Sequence, residues 1–142
     1  MTKDDCIFCK LANGVFPTNK IYEDENFTVI LDASPANPGH SLIIPKQHFD
    51  CLFRLDDELA AKVMPLAKKI GAVIKAQTGA DGINVVQNNG TAAGQTVFHF
   101  HTHIIPRFND DNVGVGWRQL TPDDEEQKEL AAKLSEAIDS LQ

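Results

Sequence analysis

Residues 99–103 read HFHTH, which puts three of the chain's five histidines at alternate positions. Imidazole is largely uncharged near neutral pH and carries one lone pair and one N–H. Three of them on one surface suit either of two chemistries. They can coordinate a metal ion, or one can act as a nucleophile while its neighbours support it. A merely solvated strand face would have little use for three. A second group lies at the N-terminus, where Cys6 and Cys9 flank Ile7 and Phe8 in a C-x-x-C pair. That spacing suits zinc if two further ligands are supplied. The alternative is a pair of reduced thiols beside buried apolar residues. A redox role fits less well, because no βαβ pattern surrounds the pair. Cys51 reads as an ordinary, partly buried thiol.

The elements that must position these groups follow from periodicity. A spacing of two is the strand period, so His99, His101 and His103 share one face of a strand over 97–106, at about 6–7 Å intervals. Phe100, Thr102 and Ile104 point the other way. Upstream, 6–13 can form one or two helical turns stopped by Gly14 and Pro17. KIYED and FTVILD read as strands around an acidic turn at 24–26, ASPANPGH as a loop, and SLIIP as a short buried strand. A long helix spans 56–78, with Asp56 as cap and an inward stripe of Leu59, Val63, Leu66, Ile70, Val73 and Ile74. Pro65 interrupts it and Gly79 ends it. GINVVQ is a strand, followed by the loop NNGTAAGQT. A last helix starts with Thr121 as cap, Pro122 at its first position and Asp124 at the capping-box position. It turns Leu130, Leu134, Ala137 and Leu141 inward. Strands and helices in this order predict an α+β domain with a mainly antiparallel sheet.

The length of 142 residues suits one domain, and the hydrophobic content of 42% is ordinary for a globular protein. The net charge of −7 argues against nucleic acid as a partner. The acid is concentrated near the two ends, so an anionic small molecule can still be held in the middle by backbone N–H groups and imidazoles. The chain lacks a run of apolar residues long enough for a membrane span and opens without a signal-peptide core. A cytoplasmic location is therefore expected, with no membrane partner. Three cysteines, an odd number, are no disulfide framework.

GQTVFHFHTHIIPR resembles the signature of the histidine-triad (HIT) nucleotide hydrolases and transferases, in which histidines alternate with apolar residues. KIYEDENFTVILDASPANPGHSLIIPKQH is similar to the family's ribose-binding strand, loop and following strand, and CIFCKLANGVFPTNKIYED to the start of its bacterial Hint-type members. The likeness covers most of residues 5–108. Thr102 departs from it, standing where an apolar residue is usual. The resemblance implies a HIT-like fold, with a mainly antiparallel five-stranded sheet, two main helices, and the sheet continued across a homodimer. It implies a single domain over 1–142, with its core in 5–108 and a C-terminal loop and helix in 109–142.

The resemblance also assigns roles. His101 matches the nucleophile that attacks the α-phosphorus of a nucleotide, and His103 a phosphate-binding histidine. Asp32 matches the acid on the ribose hydroxyls. Asn88, Gln95 and Thr96 match loop residues at the phosphate and leaving group, and Ile7, Phe8, Leu11, Ile30 and Leu42 the apolar slot for a purine. Read singly, Asp32 is a turn cap, Asn88 and Gln95 are loop builders, and the aliphatic residues are generic core. For the Cys pair, His48 and His99 are the available partners, and some relatives hold a structural zinc at such places. His40 is expected to be structural or at the edge of the site.

The implied activity is cleavage of a nucleoside phosphoramidate or related purine nucleotide conjugate. Dinucleoside polyphosphate hydrolysis, a nucleotide-binding or partner-binding module with vestigial catalysis, and a catalytic metal on the three histidines stand as alternatives.

Overall fold

The sheet begins at an acidic turn. Asp24 Oδ1 accepts from the backbone N–H groups of Asn26 and Phe27, both at 2.8 Å. This Asx turn folds β1 (Lys20–Glu23) back onto β2 (Phe27–Leu31). The computed structural model describes residues 1–141. Its five strands add β3 (Ser41–Pro45), β4 (Gly82–Val86) and β5 (Thr102–Arg107) in the order β1-β2-β3-β5-β4, with all neighbours antiparallel. The α+β class and the five-stranded antiparallel sheet are as expected.

Each face of the sheet has its own helix. On one, α2 (Asp57–Thr78) buries Leu59, Val63, Leu66, Ile70 and Ile74 against Phe27, Val29, Ile43, Phe100 and Ile104. Val73, expected in that stripe, is exposed, because Ile70 and Ile74 already fill the seam on either side of it. Gly79 ends the helix with φ +71°, a left-handed cap, and its N–H bonds the Lys75 carbonyl at 3.0 Å. On the other face, α1 (Ile7–Ala12) lays Phe8, Leu11 and Ala12 over Ile30, Leu42 and Ile44. Residues 27–30 of β2 and all of β3 are consequently buried. No helix among the described residues is long and apolar enough to cross a membrane.

Two expected elements shift. The histidine strand enters the ladder only at Thr102, so His99 and His101 precede it. There the backbone N–H of Phe100 turns to the Phe49 carbonyl instead of a strand partner. Alternation survives: Phe100 and Ile104 still join the α2 side, and the histidines face α1. The last helix, α3 (Asp124–Asp139), starts after Asp123, whose carboxylate caps the Glu126 N–H at 3.1 Å, and not at Thr121. Its expected inward residues Leu130, Leu134, Ala137 and Leu141 are all exposed. Both sheet faces are already covered by α1 and α2. Among the described residues no hydrogen bond or ion pair ties α3 to the rest of the fold.

Thr102 is a local flaw in the packing. It is 2% exposed, and its Oγ1 is the one buried side-chain oxygen or nitrogen without a partner among the described residues. Desolvating a hydroxyl with no compensating bond costs about 1 kcal/mol or more. Thr102→Val is expected to raise stability by about 1 kcal/mol and the melting temperature by about 3 °C. Thermal unfolding checks this, and an unchanged or lower midpoint would show that the hydroxyl is satisfied in solution.

Candidate active site and metal centre

A cleft of about 540 Å³ opens on the α1 side of the sheet, lined by His101 and His103 at one end and Asp32 at another. Phe8 and Leu11 of α1 and Ile30 and Leu42 of β2 and β3 form its apolar walls. Those four residues lie where the purine slot was expected. Thr96 also lines the cleft.

Backbone groups fix the protons of the histidines. His101 Nδ1 lies 2.7 Å from the His99 carbonyl. A carbonyl only accepts, so Nδ1 carries the hydrogen, and the neutral ring keeps its lone pair on Nε2. Phe8 stacks edge-on against this ring at 4.8 Å. His40, expected to be structural or at the edge of the site, is only 6% exposed and supports His103 without lining the cleft. Its Nδ1 accepts from the Ala36 N–H at 2.9 Å, so its hydrogen sits on Nε2. That Nε2–H donates to His103 Nδ1 at 2.9 Å, which leaves His103 with its own N–H on Nε2. The site thus offers one bare nitrogen at His101 and one N–H donor at His103. Asp32 ends the arrangement, with Oδ1 accepting from the Ser34 N–H at 2.8 Å and Oδ2 3.5 Å from His40 Nε2.

Three expected contacts sit elsewhere. Ile7 is 45% exposed and lines a separate hollow beside Cys6, His48 and Phe98, because one helical step turns it away from Phe8. Gln95 is 2% exposed and committed to backbone. Its Oε1 accepts from the Gly90 N–H at 2.8 Å, and its Nε2 donates to the carbonyls of Asp50 and Val97 at 2.7 and 3.1 Å. Asn88 packs against Gly94, where a Cβ would meet its Nδ2 at 3.6 Å, and it does not line the cleft. Gln95 therefore ties the 90–96 loop to Asp50 and Val97, with Asn88 packed beside Gly94.

The Cys pair meets the expected partners. The ligating atoms of Cys6, Cys9, His48 and His99 all lie within 4.8 Å of one another. Cys6 Sγ and Cys9 Sγ are 3.3 and 3.4 Å from His99 Nδ1, and Cys9 Sγ is 3.5 Å from His48 Nδ1. A tetrahedral zinc with ordinary Zn–S and Zn–N bonds requires S···N edges of about 3.5 Å. The outer hydrogen bonds agree: His99 Nε2–H donates to the Pro45 carbonyl at 2.9 Å and His48 Nε2–H to Asp50 at 2.8 Å. Both Nδ1 lone pairs are therefore free to point at a metal. The residues present fit a closed structural zinc site. The cluster of Asp32, His40 and His103 is also tight, but the Ala36 N–H obliges His40 to keep its hydrogen on Nε2. That leaves no lone pair there for a metal.

Burial lowers the basicity of the triad. His99 and His103 are pushed down to about 4, first by burial and then by neighbouring imidazoles, although the Pro45 carbonyl opposes the shift at His99. His101 is also lowered by burial, partly offset by its bond to the His99 carbonyl. All three are neutral at pH 7. The ordinary histidine value is 6.5, so below it the unfolded chain binds protons that the folded chain refuses. Stability is then complete above about pH 6.5 and is lost progressively toward pH 4. The melting temperature is expected to fall across that window. A flat profile there would mean that the folded histidines titrate normally.

Residues 13–110 match the family model described as the HIT domain. The chain belongs to the HIT family. Among proteins similar to this HIT chain is adenosine 5′-monophosphoramidase hnt1 of Schizosaccharomyces pombe, 41% identical over 134 residues, which are 94% of this chain and 98% of that protein. A crystal structure from Streptococcus mutans UA159 superposes with TM-score 0.91 at 39% identity, covering 96% of this chain and 87% of that one. A zinc-bound histidine triad protein from Mycobacterium smegmatis superposes with TM-score 0.74 at 38% identity, covering 97% and 98%.

Proposed function

We propose that this HIT protein hydrolyses a nucleoside phosphoramidate, or a related purine nucleotide conjugate, at the α-phosphate through a nucleotidyl intermediate on His101. The observation that carries the reading is the bare Nε2 of His101, held so by the His99 carbonyl, at the wall of a cleft with an apolar slot. A neutral imidazole is a competent nucleophile at pH 7 and needs no activating metal. Nε2 forms a bond to the α-phosphorus as the bond from phosphorus to the leaving amine breaks, and the amine departs with a proton from solvent, which the water of the next step returns. Water then attacks the same phosphorus, frees the nucleoside monophosphate and restores His101. His103 Nε2–H donates to a phosphate oxygen as negative charge builds, and N–H groups of the 90–96 loop share that task. Phe8, Leu11, Ile30 and Leu42 hold the purine, and Asp32 accepts from the ribose hydroxyls. Thr96 borders the phosphate, and Asn88 and Gln95 hold the loop that carries it. The named activity of the Schizosaccharomyces pombe relative supports this substrate class.

Zinc on Cys6, Cys9, His48 and His99 would pin α1 beside the catalytic segment, with no open position for substrate. The zinc-bound relative supports this assignment. β1 and β4 are the edge strands of the sheet, and we assign to one of them the pairing of a second copy in a homodimer that continues the sheet.

The test is turnover of an adenosine 5′-phosphoramidate carrying a fluorescent amine, followed as release of AMP and amine. Multiple turnover is expected with no added metal. If AMP binds but no conjugate is cleaved, the protein is a nucleotide-binding module. If dinucleoside polyphosphates are cleaved in preference, the reading shifts to that branch.

A further inference from the structure

A side-chain knot lies behind the cleft, and nothing in the proposed reaction uses it. At its centre is Asp111, in the loop after β5, with its side chain 7% exposed. Five donors converge on this one carboxylate. Oδ1 accepts from Arg107 Nη2 at 2.8 Å and the Val113 N–H at 3.2 Å. Oδ2 accepts from Arg107 Nε at 2.9 Å, the Phe108 N–H at 2.8 Å and Asn37 Nδ2 at 3.0 Å. The Arg107 guanidinium, with help from these backbone donors, holds the acid well below the usual carboxylate range. Arg107 donates also to Asn84 Oδ1 at 2.7 Å and the Val113 carbonyl at 2.8 Å, which uses four of its five N–H groups. A surface loop does not need this much bonding to stay folded.

The fifth donor shows where the knot leads. Asn37 lies in the loop that joins β2 to β3, far from Asp111 in sequence. Its Nδ2 is shared between Asp111 and the Pro106 carbonyl, the latter at 2.9 Å. Its own carbonyl accepts from the His40 N–H at 3.0 Å. One residue earlier, Ala36 supplies the N–H that sets the His40 tautomer. The His40 carbonyl in turn accepts from the Asp32 N–H at 2.8 Å. Bonds therefore run unbroken from Arg107 through Asp111, Asn37 and His40 to His103 and Asp32.

We propose that Asp111 is a positioning residue for the nucleotide site, acting through Asn37 to hold the Ala36–His40 turn so that His103 presents its Nε2–H to the cleft. Without the carboxylate, Asn37 keeps only the Pro106 carbonyl, and the turn is free to shift. A shift that breaks the Ala36 N–H bond lets His40 move its hydrogen to Nδ1. His103 Nδ1 then loses its donor, and the N–H facing the cleft is no longer fixed.

The proposal rests on the phosphoramidase reading for its kinetic arm and is independent of it in its spectroscopic arm. Two variants are compared with wild type. Asp111→Asn keeps the shape but removes the charge. Asn37→Ala cuts the link and leaves the Arg107–Asp111 pair whole. In the kinetic arm, kcat is expected to fall about 10–100-fold in both, with KM changed less than about threefold, since misorientation acts on the reacting geometry. In the spectroscopic arm, long-range 1H–15N correlation of the histidine side chains at pH 7 reports each tautomer directly. Wild type should show His40 and His103 each as a single Nε2–H form, and both variants should show averaging between tautomers. If the variants unfold at lower temperature but keep both the tautomers and kcat, Asp111 is only a loop staple and the proposal is overturned. If wild type has no turnover, the phosphoramidase reading fails, and the tautomer comparison still decides the role of Asp111.

Discussion

His101→Ala is expected to lower AMP release from an adenosine phosphoramidate by at least about 10⁴-fold, because a nucleophile has no substitute in its own covalent step. The size of the effect separates His101 from its neighbours. On the proposed mechanism His103 contributes one hydrogen bond to charge that builds in the transition state, and loss of one such donor is worth about 10²–10³-fold. AMP binding should survive in His101→Ala, because Leu11, Ile30, Leu42 and Asp32 are untouched and Phe8 loses only an edge contact. AMP affinity is therefore expected to stay within about threefold, the pattern of an interaction made only in the transition state. Steady-state kinetics and a binding titration on the same preparation decide the matter. A loss of less than about tenfold would show that water attacks phosphorus directly and that His101 is only electrostatic support. Intact mass spectrometry of a quenched wild-type reaction, showing one added nucleotidyl group that is absent from the variant, would identify the covalent step itself.

Chelation or Cys9→Ser is expected to lower the melting temperature by about 10 °C or more and to reduce activity only in step with unfolding. Four ligand atoms are already gathered from three separated segments, so zinc would bind the folded chain far better than the unfolded one. An ion present at about a thousand times its dissociation constant stabilises by about 4 kcal/mol. For a chain of this length that is about 10–15 °C. Burial raises the Cys9 thiol's pKa, with N–H donation from Lys3 opposing it. Metal affinity should therefore weaken sharply as pH falls and protons compete for sulfur. Metal analysis should return one zinc per chain for wild type and none for Cys9→Ser. A metal-free preparation with an unchanged midpoint would mean that the thiols pack as a reduced pair. Rapid loss of activity on chelation, with the fold intact, would revive a catalytic metal.

Much of this was legible before any coordinates. The Asx turn at Asp24, the left-handed stop at Gly79 and the two-residue alternation of His99, His101 and His103 are short-range effects, written in neighbouring residues. The Cys6, Cys9, His48 and His99 set was readable because ligand types are few. What the chain hid depends on distant partners. The stripe on α3 shows that one side of the helix is apolar, but not whether any surface remains to receive it. Gln95 reads as a polar group near phosphate until its two ends are seen to be engaged by Gly90, Asp50 and Val97. Ile7 and Phe8 are equally apolar, and only the exact turn of α1 separates them. His40 could be placed only as structural or at the edge of the site, because its bond to His103 comes from the register of β3 against β5, a long-range pairing. Asp111 gave no signal, since the donor that links it to the site, Asn37, lies 74 residues away in the chain.

The hydrogens of His101, His99 and His40 are placed by main-chain groups: the carbonyls of His99 and Pro45, and the N–H of Ala36. Every residue type has a carbonyl, and only proline lacks the N–H. The protonation pattern is thus insulated from the identity of the side chains at positions 36, 45 and 99. On the proposed function, side-chain changes along the apolar wall can retune which conjugate is admitted while these three hydrogens stay as they are. In evolutionary terms, the proposed substrate range can drift separately from the protons that main-chain groups set.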